Sequence, residues 1–329
     1  MVIATIPSSI YFVSAQDEEE NENYNPPTWL QNTAKWANEG KISESTFTTA
    51  YRYAIQHDLL QLELEGQEGY IVTMIPSSQV IQAGQPKNCQ DMNFPIVTWS
   101  GCNFSGVNLN HADLHGSNLT GINLSGADLE KAYLVDVHLE NSILNYADIR
   151  NADLPGAYLQ HAHLVSVLGQ YLDLRFADMT GADLSDSFLR GSSLNWAVLE
   201  NITLVNTDFS HSEFVGADLS GANAKGANFQ ECYMTGINFT SADASGANFL
   251  DADLSNSNLT GTDLSGAGLQ NTGLSSVVLK NANLASANLT HADLGNADLT
   301  GANLTNADLA GAVLAGANLH CIGNPICVH

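Results

Sequence analysis

From Phe104 to Leu319 an apolar residue recurs at every fifth position, through 44 consecutive pentapeptides without insertion or deletion. This recurring position, the centre, is Leu 32 times, Phe six times, Met twice and Ile once, with Gly169, Ala224 and Ala244 as exceptions. Two residues before each centre stands a small side chain, Ala in 25 of the 44 cases. None of these 88 positions is charged, although 14% of the whole chain is. Both positions must therefore face a dry interior, because an unpaired buried charge is too costly. The residue just before the centre is Asp 15 times and Asn 13 times.

A period of five matches neither the 3.6 residues of a helix nor the two of a strand. The chain must instead close on itself every few pentapeptides. If each pentapeptide is one side of a square, 20 residues make one coil and centres stack on centres at about 4.8 Å. Eleven such coils would form a rod of roughly 50 Å. Hydrogen bonds between coils would satisfy the buried peptide groups, and large and small inward residues would fill the core.

The segments Ala127-Asp128-Leu129, Ala302-Asn303-Leu304-Thr305 and Ala297-Asp298-Leu299-Thr300-Gly301 carry the motif that resembles the pentapeptide-repeat family. The resemblance spans 102–319 and implies a right-handed quadrilateral β-helix, an all-β solenoid, with the centre and its small partner inward. The Asn and Asp before the centre are expected to be structural, since short polar side chains bond nearby backbone in tight turns.

The first hundred residues have another pattern. Residues 1–16 are short and apolar, and Val13-Ser14-Ala15 has the small-residue spacing of a signal-peptidase site, although no basic start precedes it. Residues 17–27 form an acidic, proline-containing linker. Residues 28–65 read as a small α-helical hairpin module, with Phe47, Tyr51, Ala54, Ile55 and Leu59 at helical spacing. The stretch around Trp29 and Trp36 resembles a Trp-rich module of secreted and surface proteins of ammonia-oxidising archaea. Residues 66–101, with Tyr70-Ile71-Val72 strand-like, read as a connector and N-terminal cap, and 320–329 as a C-terminal cap. Solenoids need such caps because an open end exposes unpaired backbone.

The chain has 35 acidic and 10 basic residues, a net charge of −25. That argues against nucleic acid and an anionic membrane surface as direct partners, since both would be repelled. No run of 18 apolar residues forms a transmembrane segment. No nucleophile–base set, P-loop, HExxH or dinucleotide motif occurs, so the expectation is a protein without catalytic activity, cofactor or metal. His161 and His163 both point outward at a metal-compatible spacing but have no evident third ligand. Cys321 and Cys327 would close a short loop below the last coil in an oxidising compartment, and Cys89 and Cys102 would do so above the first. The rival for the C-terminus is a zinc site from His320, Cys321, Cys327 and His329. Cys232 sits at an inward small position and is expected to be a buried free thiol. Eight Asn-x-Ser/Thr sequons begin at Asn103, Asn118, Asn123, Asn201, Asn238, Asn258, Asn288 and Asn303.

A binding site on a regular rod should show as a departure from the repeat. Between 131 and 200 the outward positions are unusual. Phe176 and Trp196 share a row 20 residues apart, as do Leu168 with Phe188 and His138 with Tyr158. Tyr133, Tyr146, Tyr171, Arg150, Arg175 and Arg190 lie in the same coils. Aromatics with Arg are the composition of interface cores, so Tyr133, His138, Tyr158, Arg175, Phe176, Phe188, Arg190 and Trp196 form the candidate partner surface. The two occupants are an external partner, a protein or cell-surface component, and the chain's own N-terminal helices. The resulting expectation is a non-enzymatic extracellular binding or structural rod, secreted or at the cell surface. The resemblance offers an alternative, a cytoplasmic acidic mimic of duplex DNA that binds a type II topoisomerase. The solenoid's 23 acidic and 6 basic residues suit that reading, but its Asp residues favour no single stripe.

Overall fold

The computed structural model describes residues 61–64, 70–73 and 96–328. Within the solenoid, isolated parallel bridges join each ladder residue to the one 20 positions on, from Thr98↔Asn118 to Asp298↔Asn318. Four pentapeptides therefore make one coil, as the square arrangement requires. Trp99 and Val97 are fully buried, and Trp99 packs edge-on against Phe104 at 4.8 Å. The solenoid thus begins before 102, with Trp99 serving as a centre one pentapeptide ahead of Phe104.

A regular pentapeptide satisfies all five of its N–H groups. Around Leu119, Asn118 N–H donates back to Val97 O (2.8 Å) and Leu119 N–H forward to His138 O (2.7 Å). Gly121 N–H donates to Glu140 O (2.8 Å), and Ile122 N–H closes the turn onto Leu119 O (3.0 Å). The fifth donor, Thr120 N–H, is taken by the Asn118 side-chain oxygen at 3.1 Å. The same Asx turn recurs along the rod, as at Asp178–Thr180 (3.0 Å) and Asp218–Ser220 (2.9 Å). This is the structural role expected of the Asn and Asp ladder. It also explains the sequons: in seven of the eight the Ser or Thr N–H donates to the Asn two residues earlier. Asn201 is the exception, because it occupies a corner.

The corners lie two residues after each centre, and every one from Gly101 to Gly316 has a positive φ. A turn whose third residue is left-handed suits Gly and, next, Asn. Here 26 corner residues are not Gly, with φ between 52° and 62°.

The core has three irregularities, each compensated by volume. Gly169 leaves a centre empty, and Leu172, oversized for a small position, fills it: a Cβ on Gly169 would meet Leu172 Cδ1 at 3.0 Å. Ala224 and Ala244 are undersized centres. Beside them Phe209, Phe229 and Phe249 stack at 5.8 and 5.1 Å, with Phe214 and Phe239 edge-on. All five rings are fully buried.

At the C-terminal end the register slips by one, from 20 to 19, in the bridge Asn303↔Ile322. Cys321 and Cys327 form a disulfide, which commits both sulfurs and excludes the zinc alternative. The loop they close lies against Leu319, whose carbonyl accepts Val328 N–H at 2.9 Å. Cys102 is buried and disulfide-bonded, while Cys89 lies outside the described residues.

Two further strands are described: β1, Gln61–Leu64, and β2, Tyr70–Thr73, paired antiparallel. β2 is the strand-like run expected in the connector. β1 corrects the helical span expected to reach 65, because Gln-Leu-Glu-Leu alternates with the period of a strand. The remainder of the helical module, the linker and the candidate signal lie outside the described residues.

Two predictions follow from this packing. Phe229→Ala should destabilise the rod by about 3–5 kcal/mol, because the undersized Ala neighbours cannot refill the space. Asp298→Asn, which keeps the acceptor for Thr300 N–H (3.1 Å), should stay within about 0.5 kcal/mol. Thermal melts reporting the reverse order would refute the inward assignment. Deleting residues 281–300, one whole coil, should preserve cooperative melting, whereas deleting Leu289 alone should abolish it by putting every later inward residue out of phase. Equal stability of the two deletions would contradict the in-register ladder.

Candidate interaction surface

The four faces are numbered here by their ladder residues. Face 1 carries His138, Tyr158 and Asp178; face 2, Ile143, His163 and Asp183; face 3, Asp148, Leu168 and Phe188; face 4, Tyr133, Asp153 and Asp173. This placement separates the eight candidate residues. Phe188 and Arg190 lie on face 3, opposite His138 and Tyr158 on face 1. Tyr133 and Arg175 lie on face 4. Phe176 and Trp196 occupy the corner joining face 4 to face 1. Six of the eight therefore line two adjacent faces and the corner between them, and the other two belong to a separate surface.

Within the six, the rings of His138 and Tyr158 stack at 4.5 Å and 6°. His138 Nδ1 lies 3.0 Å from Glu140 Oε1. Arg175 bonds Asp173 through Nε at 2.8 Å and Nη2 at 2.6 Å. That guanidinium holds the Asp173 carboxyl below the usual carboxylate range, with partial burial opposing it. Phe176 and Trp196 do not stack on each other, contrary to the expectation from their spacing. Instead the Cε3, Cζ3 and Cη2 atoms of Trp196 converge where a Cβ of residue 216 would stand, so its ring lies face-on over Gly216 in the next coil. The corner geometry aims the side chain along the rod, toward the following corner.

Corner placement was not legible from the 20-residue spacing alone, and it sets apart four aromatics of the expected stretch. Four corners carry aromatics: Tyr146, Tyr171, Phe176 and Trp196, with φ of 60–62° and exposures of 59–71%. No corner after 196 carries one, and Asn, Ser, Asp, Glu, His or Gly stands there instead. Bulky residues at positive φ are uncommon and cost of order 1–3 kcal/mol each. Leu168 and Phe188, neighbours by their bridge, add a second exposed apolar pair on face 3, flanked by Tyr146 and Tyr171.

Reactive chemistry is sparse. A depression of about 280 Å³ is lined by His211, Glu231, Cys232, Tyr233, Asp251 and Asp253. Its one thiol, Cys232, is buried as expected, and burial pushes it up to about 12. The thiol is therefore protonated at neutral pH and is no nucleophile. His161 and His163 diverge, the first leaning over the Gly181 corner and the second standing on face 2. Among the described residues no three His, Cys, Asp or Glu side chains are grouped to hold a metal, and no helix is long and apolar enough to cross a membrane. The ladder Asp residues fall three, three, four and five on faces 1 to 4, so acidity is spread around the rod.

The described residues thus form a four-sided parallel solenoid with five-residue sides. The chain belongs to the pentapeptide-repeat family: models described as "Pentapeptide repeat region" and "Pentapeptide repeats (8 copies)" match residues 92–168 and, in five overlapping blocks, 157–321. Family members form right-handed quadrilateral β-helices. HetL of the cyanobacterium Nostoc sp. strain PCC 7120, involved in heterocyst differentiation regulation, is 30% identical over 69% of this chain and 93% of its own, with a TM-score of 0.30. QnrB1, a plasmid-mediated fluoroquinolone resistance protein, is 15% identical over 68% and 90%, with a TM-score of 0.39. A pentapeptide repeat protein of the Arabidopsis thaliana thylakoid lumen is 28% identical over 32% and 68%, with a TM-score of 0.14. No curated protein matches the chain in sequence.

The pairing of carboxylates has a pH consequence. Arg175 depresses Asp173, and the Thr300 hydroxyl and N–H, with Lys280, depress Asp298. A carboxylate with a lowered folded pKa stabilises the fold above its unfolded value, about 3.9, and that contribution is lost as pH falls through the folded value. Melting temperature should therefore fall below about pH 4. The fall should be shallower in an Asp173→Asn, Asp298→Asn double variant, and an unchanged acid limb would show that these pairs do not contribute.

Proposed function

We propose that the protein is a non-enzymatic binding or structural rod whose contact surface lies in the coils between 131 and 200. The observation that carries this reading is that all four aromatic corner residues, Tyr146, Tyr171, Phe176 and Trp196, fall between 146 and 196, where Tyr158 and Phe188 are also exposed. Bulky aromatics kept at left-handed corners in one stretch, where Gly or Asn would relieve the strain, support a selected surface. Its centre is the corner of Phe176 and Trp196, with His138, Tyr158, Tyr133 and Arg175 on the flanking faces. The partner is a protein or cell-surface component. The extracellular setting rests on the signal-like residues 1–16.

Trp196→Asn separates the two functions of this position. Asn is the commonest non-Gly corner residue of this rod, so the fold should melt at the same temperature or up to a few degrees higher, through relief of about 1 kcal/mol of strain. Capture of a partner from a cell-surface extract should fall. Faster proteolysis within 28–65, with capture unchanged, would instead mean that the N-terminal module covers this corner. A lower melting temperature with capture unchanged would make the aromatic corner a structural feature.

The second reading, an acidic mimic of duplex DNA acting on a type II topoisomerase, is supported by the solenoid's net charge of −17. Even distribution of Asp over four faces and the aromatic corners favour the first. Cell fractionation separates them, since only the mimic must be cytoplasmic.

A further inference from the structure

Trp196 presents one open ring face. Its other face lies over Gly216, and the residue as a whole is 59% exposed. The bridges place Asp178 and Asp218 either side of Val198 on face 1, and Glu213 beside Ser193 on face 4. Glu200 follows on face 1, two residues past Val198. Because the ring sits over Gly216, Glu213 and Asp218 lie level with it and Glu200 one coil rise, ~4.8 Å, below, while Asp178 lies about two rises away. None of the four has an ion-pair partner among the described residues. Their hydrogen bonds come from neutral groups, such as Gln160 to Asp178 (2.7 Å) and Asn195 to Glu213 (2.8 Å). Arg175 is held by both oxygens of Asp173 and also acts electrostatically on Glu213, which leaves Glu200 and Asp218 as the carboxylates near the ring without a cation.

We infer that this corner binds an arginine-rich segment of a partner protein, with a guanidinium stacked on the open face of Trp196 between the carboxylates of faces 1 and 4. The inference rests on the contact-surface reading above and names its ligand. A planar guanidinium is weakly hydrated, stacks on indole and bonds carboxylates at its edge. Indole is the best of the aromatic faces for a cation. An uncharged partner would leave Glu200 and Asp218 facing it without counter-charge. An acidic one would be repelled by a chain of net charge −25. A guanidinium uses both features of the corner at once; Tyr233, exposed between Glu213 and Asp253 on face 4, also combines an aromatic with carboxylates, but a phenol ring holds a cation less well than an indole.

The test uses the full chain and a fluorescently labelled oligoarginine peptide, followed by anisotropy at physiological ionic strength. Trp196→Asn should weaken binding about tenfold, the loss of one partly desolvated cation–aromatic contact. Glu200→Gln with Asp218→Asn should weaken it several-fold. Asp293→Asn, which removes the same charge from a coil without exposed aromatics, should change it by less than about twofold, as screening beyond a Debye length requires. Gly216→Ala, which pushes the ring off its seat while leaving Trp196 present, should weaken binding as well. Equal effects of Trp196→Asn and Asp293→Asn, or no oligoarginine binding, would overturn the inference in favour of a diffuse acidic field. If Trp196→Asn abolishes capture of the extract partner while oligoarginine binding is indifferent, the contact surface stands and its cationic ligand does not. If both are indifferent, both readings fall.

Discussion

One backbone donor governs this fold. Of the five N–H groups in each pentapeptide, three bond to neighbouring coils and one closes the turn, which leaves the residue after the centre. Asn or Asp two positions earlier accepts that last donor from its side chain, as Asn123 does for Ser125 at 3.0 Å. At two ladder positions that are not Asn or Asp, His163 and Glu213, an Asn from the neighbouring coil serves instead. Asn145 reaches Val165 N–H at 3.0 Å and Asn195 reaches Val215 N–H at 2.7 Å, each across one coil. A buried or half-buried amide left unpaired costs more than the bond itself contributes, so the repeated Asx residue is a condition of stacking rather than decoration. The same side chains supply much of the acidity that dominates the charge of the molecule.

The interior depends on volume more than on identity. Each side contributes one large and one small residue, and the narrow core tolerates exchange between them. Leu172 takes the space Gly169 vacates, and five Phe rings make good the two Ala centres at 224 and 244. Compensation across faces is possible because all centres at one level converge on one axis. It is also why a single large-to-small change at Phe229 should be felt by several coils.

With hydrogen bonds and packing met by three positions in five, the remaining two are free to vary on the outside. Most of the rod uses that freedom conservatively, with Gly, Asn or Ser at the corners and Thr or Ser beside them. The stretch 146–196 departs by placing Tyr, Phe and Trp at left-handed corners, where backbone preference opposes them. Corner side chains lean toward the next coil, so Trp196 is positioned by Gly216 as much as by its own backbone. Preorganisation of a large aromatic on a rigid solenoid gives a partner a contact that needs little ordering on binding.

The solenoid was legible in the sequence because its period, five, is incompatible with helix and strand, and because charge never enters two of the five positions. The inward residues, Cys232 as a buried thiol, the C-terminal disulfide and the structural use of Asn and Asp followed from that same register. The end of the helical span did not, because Gln61–Leu64 is too short for its alternation to stand out beside a helical pattern. The candidate surface was only half legible. A spacing of 20 says which residues share a row, but not which row adjoins which, nor whether a row is a face or a corner. Tertiary closure decided that Phe188 and Arg190 stand opposite His138 and Tyr158, and that Phe176 and Trp196 share a corner without stacking. The sequence alone determined what must be inside, since burial tolerates few residue types. Only the folded coil determined what meets what outside, since the direction of a surface side chain is set by the φ of its corner and by the size of the residue one coil away.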